Sequence, residues 1–449
     1  MPPVHSGDAS YATVQAGTLA SAMARGNRSL VAVVAIVGLA AVVTAVGVVG
    51  GGVLKFGGSS TTTTTTTQPN PLAQVWPQAE RAVAAAEKAV GVALPRREGA
   101  PAPALRPGVS TGVGRHEVVG FVPAYELTRL AGVPFSDYSE LVFSSVGLLG
   151  SGALDRGSFG YTMLANGAAR SLVVNGHHAG DPVLLSLAQV NQPIIDSLVA
   201  SPASHAAVTA DQVAALLQSG GFDGVDLDVE GQNAADRAGF TKFVAALAAD
   251  LHARNPSWTL LVNTYPDSAV NPQGFFDVQA LAGAATQLFV MAYDMNDQQI
   301  PSATAPLTGT VLSDATVLAS YVRAGLGSKV ILGIPFYGYD YPASRAGVPA
   351  DTTGTPVAVT YASVVAAGRR ALWDPVSETP YSVFRRDGQW HQTWFDDPLS
   401  VTLKTVLAWK AHVAGVGAWE IAMAAGEPQM SEALLAGGSV SKLPLATGS

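Results

Sequence analysis

Eight short apolar runs, separated by helical patterns, constrain the fold of this chain more than any other sequence feature. They lie at residues 117–123, 140–147, 182–188, 224–229, 258–263, 287–293, 329–335 and 415–420. Several are apolar almost throughout, which is typical of parallel strands that are covered on both faces. Eight parallel strands that alternate with helices predict an α/β fold, the (β/α)8 TIM barrel.

The segments between these runs carry readable helix signals. One apolar stripe at helical spacing consists of Phe240, Phe243, Val244, Leu247 and Leu251. The motif from Thr209 to Gln212 has the form of a capping box, which predicts that a helix begins there, and Gly220-Gly221 predicts its end. These helices are expected to cover the outside of the barrel.

The stretch between the seventh and eighth runs is roughly twice as long as the other intervals. It contains two strand-like runs, 381–384 and 389–395, on either side of Arg386-Asp387-Gly388. An Asp-Gly pair between such runs is typical of a β-hairpin. We therefore expect a small insertion between strands 7 and 8 that overhangs the strand ends, where the active sites of such barrels lie.

The N-terminal region is expected to contain a membrane anchor. Residues 29–54 carry no charge and are long enough to span a bilayer as a helix. Arg25 and Arg28 precede the run and only Lys55 follows closely, so the positive-inside rule predicts a cytoplasmic tail at 1–28 and an extracytoplasmic remainder. The alternative is a cleaved signal peptide, which would give a secreted protein, but the run is longer than the usual signal core.

The rest of the chain divides by composition. Residues 55–115, with a run of Thr at 61–67, predict a disordered, low-complexity linker that contains a possible short helix at 78–93. Residues 116–436 form the predicted barrel, and 437–449 a flexible C-terminal tail. The sequence carries no signal for oligomeric state.

Composition excludes several classes of function. Net charge is −8, only 13% of residues are charged, and no Lys/Arg-rich run occurs, which argues against nucleic-acid binding. Cys is absent, which excludes thiolate nucleophiles and thiolate metal sites. The eight His are scattered without zinc-ligand spacing. We expect neither a metal nor a cofactor.

The fourth run carries the most informative pattern in the chain. Asp226, Asp228 and Glu230 alternate with aliphatic residues, so in a strand all three acids face one side. Carboxylates close together in a poorly solvated interior raise at least one pKa. A carboxyl group that keeps its proton near neutral pH is what a general acid needs.

Two other interpretations compete for this pattern. The acids superficially fit the start of an EF-hand calcium loop, but its twelfth position is Arg237 instead of Glu and the intervening residues are aliphatic. A solvated edge strand is the second alternative, and it conflicts with the aliphatic residues between the acids and with the flanking helices.

The motif Asp223-Gly-Val-Asp226-Leu-Asp228-Val-Glu230 resembles the Asp-x-x-Asp-x-Asp-x-Glu signature of glycoside hydrolase family 18, the chitinase-like (β/α)8 enzymes. Other family motifs are matched in order by Val119-Gly-Phe121, Phe289-Val-Met291-Ala-Tyr293-Asp294, Leu332-Gly-Ile-Pro335-Phe-Tyr337-Gly338 and Val416-Gly-Ala-Trp419-Glu420. Asp396, Asp397, Ser400 and Lys404 further resemble the bacterial branch related to spore-cortex glucosaminidases. The similarity covers about residues 116–425.

The resemblance implies a retaining, substrate-assisted hydrolase of glycans that contain β-linked N-acetylglucosamine, such as chitin oligomers, peptidoglycan or N-glycan cores. It implies that Glu230 is the general acid, that Asp228 orients the 2-acetamido group, that Asp226 shares a proton with Asp228, and that Tyr293 hydrogen-bonds the acetamido oxygen. Trp419 is expected to form the floor under the sugar. The remaining expected substrate-binding residues are Phe121, Asp223, Met291, Asp294 and Tyr337.

Three departures and one alternative function accompany this resemblance. Residues 186–189 replace the frequent Ser-x-Gly-Gly of the third strand, Val229 replaces a frequent aromatic residue between the last two acids, and Phe121 replaces a frequent Tyr. The alternative is a non-hydrolytic, lectin-like relative that binds chitin or peptidoglycan at the cell surface. Such relatives usually lose the acid, whereas Glu230 is present here.

Overall fold

The computed structural model describes residues 70–104, 115–436 and 439–440. In chain order its helices and strands are α1 (Trp76–Val90), β1 (Ala100–Pro101), β2 (Arg115–Pro123), β3 (Glu140–Leu148), β4 (Leu154–Asp155), α2 (Phe159–Ala165), α3 (Arg170–Ala179), β5 (Val183–Gln189), α4 (Gln192–Ala200), α5 (Pro202–Gly220), β6 (Gly224–Val229), α6 (Arg237–Arg254), β7 (Thr259–Thr264), α7 (Val278–Ala284), β8 (Gln287–Val290), α8 (Asp314–Arg323), β9 (Val330–Pro335), β10 (Tyr337–Ala343), β11 (Val357–Thr360), α9 (Tyr361–Ala366), β12 (Leu372–Asp374), β13 (Thr379–Arg386), β14 (Gln389–Trp394), α10 (Pro398–Lys410), β15 (Gly415–Trp419), α11 (Gln429–Leu434) and β16 (Ser439–Val440).

Eight parallel strands close into the predicted barrel. Their order is β2, β3, β5, β6, β7, β8, β9 and β15, and β15 pairs in parallel with β2 to complete the ring. All eight apolar runs of the sequence are therefore strands. The sixth, β8, is shorter than predicted because its ladder ends at Val290.

The barrel interior has its own apolar core. It is formed by Val119, Phe121, Val142, Leu184, Leu261, Phe289 and Ile331, all nearly or fully buried. The alternate residues of the same strands face the surrounding helices and belong to the larger outer core. Burying each large aliphatic or aromatic side chain stabilises the fold by about 1.5–3 kcal/mol.

Two predicted helix features have different outcomes. The stripe that includes Phe240 and Leu251 is buried along α6, as predicted. The predicted helix start at Thr209 is wrong, because α5 begins earlier, at Pro202, and Thr209 is fully buried within it. The Thr209 hydroxyl donates to the carbonyl oxygens of Gly152 and His205 instead of capping a helix end.

The long stretch between β9 and β15 forms the predicted insertion. Its strands, together with β1, make a six-stranded sheet in the order β1, β12, β13, β14, β10 and β11. The predicted hairpin is confirmed: β13 and β14 pair in antiparallel fashion across Asp387-Gly388. Both turn residues have positive φ, 53° and 80°, which a type I′ turn requires.

Part of the predicted linker is packed against the barrel. The possible helix at 78–93 is present as α1, and its buried face of Ala79, Val83, Ala86 and Val90 lies against α8 and α10. Glu98 accepts a hydrogen bond from Tyr381, and β1 pairs with β12. Residues 70–104 are therefore part of the folded unit, because the apolar face of α1 packs against α8 and α10.

The predicted cytoplasmic tail at 1–28 and anchor at 29–54 lie outside the described residues, as do the start of the linker, residues 105–114 and most of the C-terminal tail. Within residues 70–104, 115–436 and 439–440, no helix has the length and apolar character needed to cross a membrane. The anchor stays a prediction.

A buried ion cluster joins the insertion to the barrel helices. The Lys404 ammonium group on α10 lies 2.7 Å from the carboxylate of Asp396 and 3.4 Å from that of Asp314, at the start of α8. Ser400 donates a hydrogen bond to Asp396 over 2.7 Å. Lys404, Asp396 and Asp314 are each at most 2% exposed. The motif noted from Asp396 to Lys404 therefore holds two parts of the fold together.

We expect Lys404→Met to lower the free energy of unfolding by about 3–5 kcal/mol, because it leaves Asp396 buried without its counter-ion. Lys410→Met on the same helix is the matched control, since Lys410 is partly exposed and lies over the Trp409 ring. Urea unfolding at neutral pH measures the free energy of unfolding of both variants and of the wild type. Equal losses in the two variants would show that the buried cluster does not stabilise the fold.

Candidate active site

The three alternating acids are positioned by β6, the fourth strand of the barrel. β6 is hydrogen-bonded to β5 on one side and to β7 on the other, so it is not an edge strand. Its extended backbone also excludes the turn that a calcium loop needs. Because Val225, Leu227 and Val229 lie in the outer core, Asp226 and Asp228 point into the barrel, and Glu230 follows at the strand end.

Asp226 lies deepest of the three acids and is fully buried. Burial, and then the charge of Asp228, raises its pKa well above the usual value, while neighbouring Ser186 and Asn263 act in the opposite direction. The pKa of Asp228 is also raised by burial. Because Asp226 is the more strongly affected, the pair favours a proton on Asp226 and a charge on Asp228.

Glu230 is half-buried at the mouth of the barrel, where its backbone N–H donates to Gln189. Burial raises its pKa well above the usual value, and the charges of Asp228 and Asp294 add to this effect. A carboxyl group whose pKa is raised in this way holds its proton to higher pH than an exposed glutamic acid, which is what a general acid needs.

The segment that follows β8 faces these acids. The charges of Asp228 and Glu230 act on Tyr293, whose pKa is raised well above its usual value, first by burial and then by these charges. Tyr293 therefore remains a hydrogen-bond donor at any working pH. The neighbouring Asp294 adopts a positive φ of 52° and accepts a hydrogen bond from Tyr339 over 2.9 Å.

Asp294 has a pKa raised to about 6 by burial, which the hydroxyl groups of Tyr337 and Tyr339 partly oppose. The ring of Tyr337 is perpendicular to that of Tyr293, with centroids 6.1 Å apart. Tyr337 and Tyr339 lie on β10, the first strand of the insertion. The insertion therefore reaches the acids through Asp294, in agreement with the predicted overhang.

An aromatic cluster lines the barrel beside the acids. The Phe121 ring is 4.7 Å from that of Phe289 and 5.5 Å from that of Trp419, measured between centroids. Trp419 and Met291 are partly exposed and pack on this cluster, whereas Phe121 is only 1% exposed. Trp419 and Met291 can therefore contact a ligand, while Phe121 supports them from below.

Asp223 does not join this group. It precedes β6, at the opposite end of the strand from Glu230. Its carboxylate lies 2.8 Å from the Val183 backbone nitrogen and 2.8 Å from the His177 ring nitrogen, on α3. The expectation that Asp223 binds substrate is therefore wrong, because its side chain ties β5 and α3 to the amino-terminal end of β6.

Two site residues were missed from the sequence. Ser186 stands beside Asp226 in the β5–β6 register, and Asn263 lies on β7 next to Asp228. Both are almost fully buried. A polar residue within an otherwise apolar strand is the signal that could have identified them.

The assembled site brings together groups that are suited to acid catalysis. It combines a glutamic acid with a raised pKa, the coupled Asp226–Asp228 pair, the Tyr293 hydroxyl group and an apolar indole face. Within the part of the chain that the structure describes, no three His, Cys, Asp or Glu side chains are grouped to hold a metal ion.

Comparison with known proteins adds independent findings. The family model "Glycosyl hydrolases family 18" matches residues 182–424. Di-N-acetylchitobiase of Rattus norvegicus is 27% identical over 49% of this chain and 66% of its own length. A cortical fragment-lytic enzyme of Bacillus anthracis is 24% identical over 45% of this chain and 47% of its own length. The chain thus covers less than two thirds of either relative.

Among solved structures, a chitinase from Cycas revoluta in complex with (GlcNAc)3 shares the fold. Its TM-score is 0.62 at 21% sequence identity, and the match covers 72% of this chain and 100% of the chitinase. The family model and this fold agree with the motifs that the sequence carries on β6, β8, β9 and β15.

Proposed function

Because this chain belongs to glycosyl hydrolases family 18, we propose that it hydrolyses β-linked glycans that contain N-acetylglucosamine, with retention of configuration. The observation that carries the proposal is the environment of Glu230. Its carboxyl group is half-buried at the barrel mouth, its pKa is raised by burial and by Asp228 and Asp294, and Tyr293 lies beside the same charges. This environment suits a general acid.

In the first step, Glu230 donates its proton to the glycosidic oxygen while the bond from that oxygen to C1 breaks. The carbonyl oxygen of the substrate's own 2-acetamido group attacks C1 and forms an oxazolinium ion, as in the substrate-assisted families. The Asp228 carboxylate stabilises the positive charge on the acetamido nitrogen, and Tyr293 donates a hydrogen bond to the acetamido oxygen.

In the second step, water attacks C1 from the face that the leaving group vacated, and Glu230 accepts its proton. The oxazolinium ring opens, which restores the acetamido group and gives a product with β configuration. Asp226 holds the proton that it shares with Asp228, so that only one of the two carries a charge. The Trp419 indole forms the apolar floor under the sugar.

For the substrate, we propose chitin oligomers or peptidoglycan strands, each of which carries the required acetamido group. The names of the two relatives, a di-N-acetylchitobiase and a cortical fragment-lytic enzyme, support both. We also propose that residues 29–54 hold the enzyme at the cell membrane, close to the wall glycan of the producing cell.

The test is proton NMR of the full chain acting on chitohexaose, recorded during the first minutes of the reaction. We expect the β anomer of the new reducing end to appear first and the α anomer to follow by mutarotation. An initial α product would exclude the acetamido mechanism.

The lectin-like alternative is separated by isothermal titration with the same oligomer, together with product analysis. Binding with no product over a day would favour the lectin. The retained acid Glu230 and the Asp226–Asp228 pair inside the barrel favour hydrolysis, since a binding protein gains nothing from carboxyl groups held close together in a buried site.

A further inference from the structure

Asn263 lies inside the barrel beside the acids. Leu227 pairs with Val262 in the parallel register of β6 and β7, so the next residues, Asp228 and Asn263, stand side by side. Leu261, two residues before Asn263, belongs to the interior core. Asn263 therefore points the same way, and only 3% of it is exposed.

The amide of Asn263 is chemically suited to a pair of carboxyl groups. A primary amide offers two hydrogen-bond donors and one acceptor, so it can serve a charged carboxylate and a protonated carboxyl at once. Its side-chain oxygen has no hydrogen-bond partner among the described residues. A buried amide in this position costs free energy unless it pairs with the acids beside it.

The electrostatics agree with this placement. Asn263 favours the charged forms of both Asp226 and Asp228, whereas Ser186 does so for Asp226. Asn263 is thus the uncharged side chain that acts on both members of the pair.

We propose that Asn263 is a positioning residue for the Asp226–Asp228 pair, and that its amide holds the Asp228 carboxylate in the orientation that receives the substrate acetamido group. This inference rests on the proposed function. The amide neither gains nor loses a proton, and one proton remains shared between Asp226 and Asp228. Removing the Asn263 amide should therefore affect turnover and its pH dependence more than substrate affinity.

Other titratable groups also face this pair and remain unchanged in the test. They are Glu140 on β3, Glu230, Tyr265, Tyr293 and Asp294. A shift seen on replacing Asn263 is therefore attributable to the amide itself.

The test compares Asn263→Leu, which keeps the branched shape of the side chain and removes the amide, with Thr264→Val as the matched control. Thr264 is the next residue of β7, but its hydroxyl faces outward, 3.0 Å from that of Tyr321 on α8. For Asn263→Leu we expect kcat on chitohexaose to fall about 10- to 100-fold, with KM changed less than about threefold, which matches one lost charge-assisted hydrogen bond.

The pH profile distinguishes positioning from a general loss of packing. Without the Asn263 amide, the charged form of the Asp226–Asp228 pair is less stable and the pKa of the pair rises. The acidic limb of the kcat/KM profile should therefore move to higher pH by about one unit. Thr264→Val should leave this limb in place. An unchanged limb and a kcat within about twofold of the Thr264→Val control would overturn the inference.

Carboxyl carbon-13 NMR separates this inference from the proposed function. If the wild-type chain does not hydrolyse any acetylated glycan, the proposed function fails, and the positioning role is then read from the titration alone. The Asp226–Asp228 titration should move upward in Asn263→Leu relative to both wild type and Thr264→Val. Identical titrations in the three proteins would refute the role of Asn263.

Discussion

Glu230→Gln should lower kcat on chitohexaose about 10²- to 10⁴-fold, the usual contribution of a general acid, while KM changes little. The amide has nearly the shape of the acid, but its N–H protons are not acidic enough to be transferred to the leaving oxygen. Product formation is measured by chromatography at neutral pH.

Folding should not explain this loss. The folded-state pKa of Glu230 lies above its unfolded value, so its carboxyl destabilises the fold increasingly as pH rises from the unfolded pKa towards the folded one. The neutral amide removes that cost, and the thermal midpoint at pH 7 should be no lower than that of wild type.

The matched control is Glu117→Gln, a partly buried glutamate at the amino-terminal end of the barrel that accepts a hydrogen bond from Gln287. It should retain turnover near the wild-type level. If Glu230→Gln retains more than about a tenth of wild-type turnover, Glu230 is not the general acid.

The sequence predicted those parts of the molecule that depend on local patterns. The eight strands follow from apolar runs, the hairpin from Asp387-Gly388, and the direction of Asp226 and Asp228 from the two-residue period of a strand. Each of these patterns has its cause within a few residues, so it can be read without knowing what packs against it.

The features that the sequence did not reveal depend on distant partners. The packing of α1 requires the uncovered faces of α8 and α10, and Lys404 meets Asp314 only once the chain has folded. Thr209 fits a capping motif, yet its hydroxyl group donates a hydrogen bond to the carbonyl oxygen of Gly152, in another segment of the chain. Asp223 matches the family motif, but its carboxylate pairs with the His177 ring, so its role is to stabilise the fold.

Asn263 illustrates the same limit within the site. A single polar residue at the end of an apolar strand has no spacing pattern of its own, and its importance depends on the register with β6. Only the side-by-side arrangement of Asp228 and Asn263 connects it to the reaction.

The second large effect concerns the substrate. If the acetamido oxygen is the nucleophile, a sugar that lacks the acetyl group cannot react in the position over Trp419. An intramolecular nucleophile has an effective concentration of about 10⁵–10⁸ M, so the rate should fall about a thousandfold or more for glucosamine in that position. The sugar on the leaving side needs no acetyl group, because it contributes only the oxygen that Glu230 protonates.

Partially acetylated chitosan oligomers test this claim within one substrate mixture. The full chain is incubated with them, and the sugar at each new reducing end is identified by mass spectrometry after isotopic labelling in ¹⁸O water. Fully acetylated oligomers serve as the positive control. Glu230→Gln is the negative control for contaminating activity.

This measurement reaches the central claim directly, because the new reducing end is the sugar whose C1 was attacked. We predict N-acetylglucosamine at essentially every new reducing end, while both acetylated and free sugars occur at the new non-reducing ends. Glucosamine at the new reducing ends, in the proportion found in the starting oligomers, would contradict substrate-assisted hydrolysis by this protein.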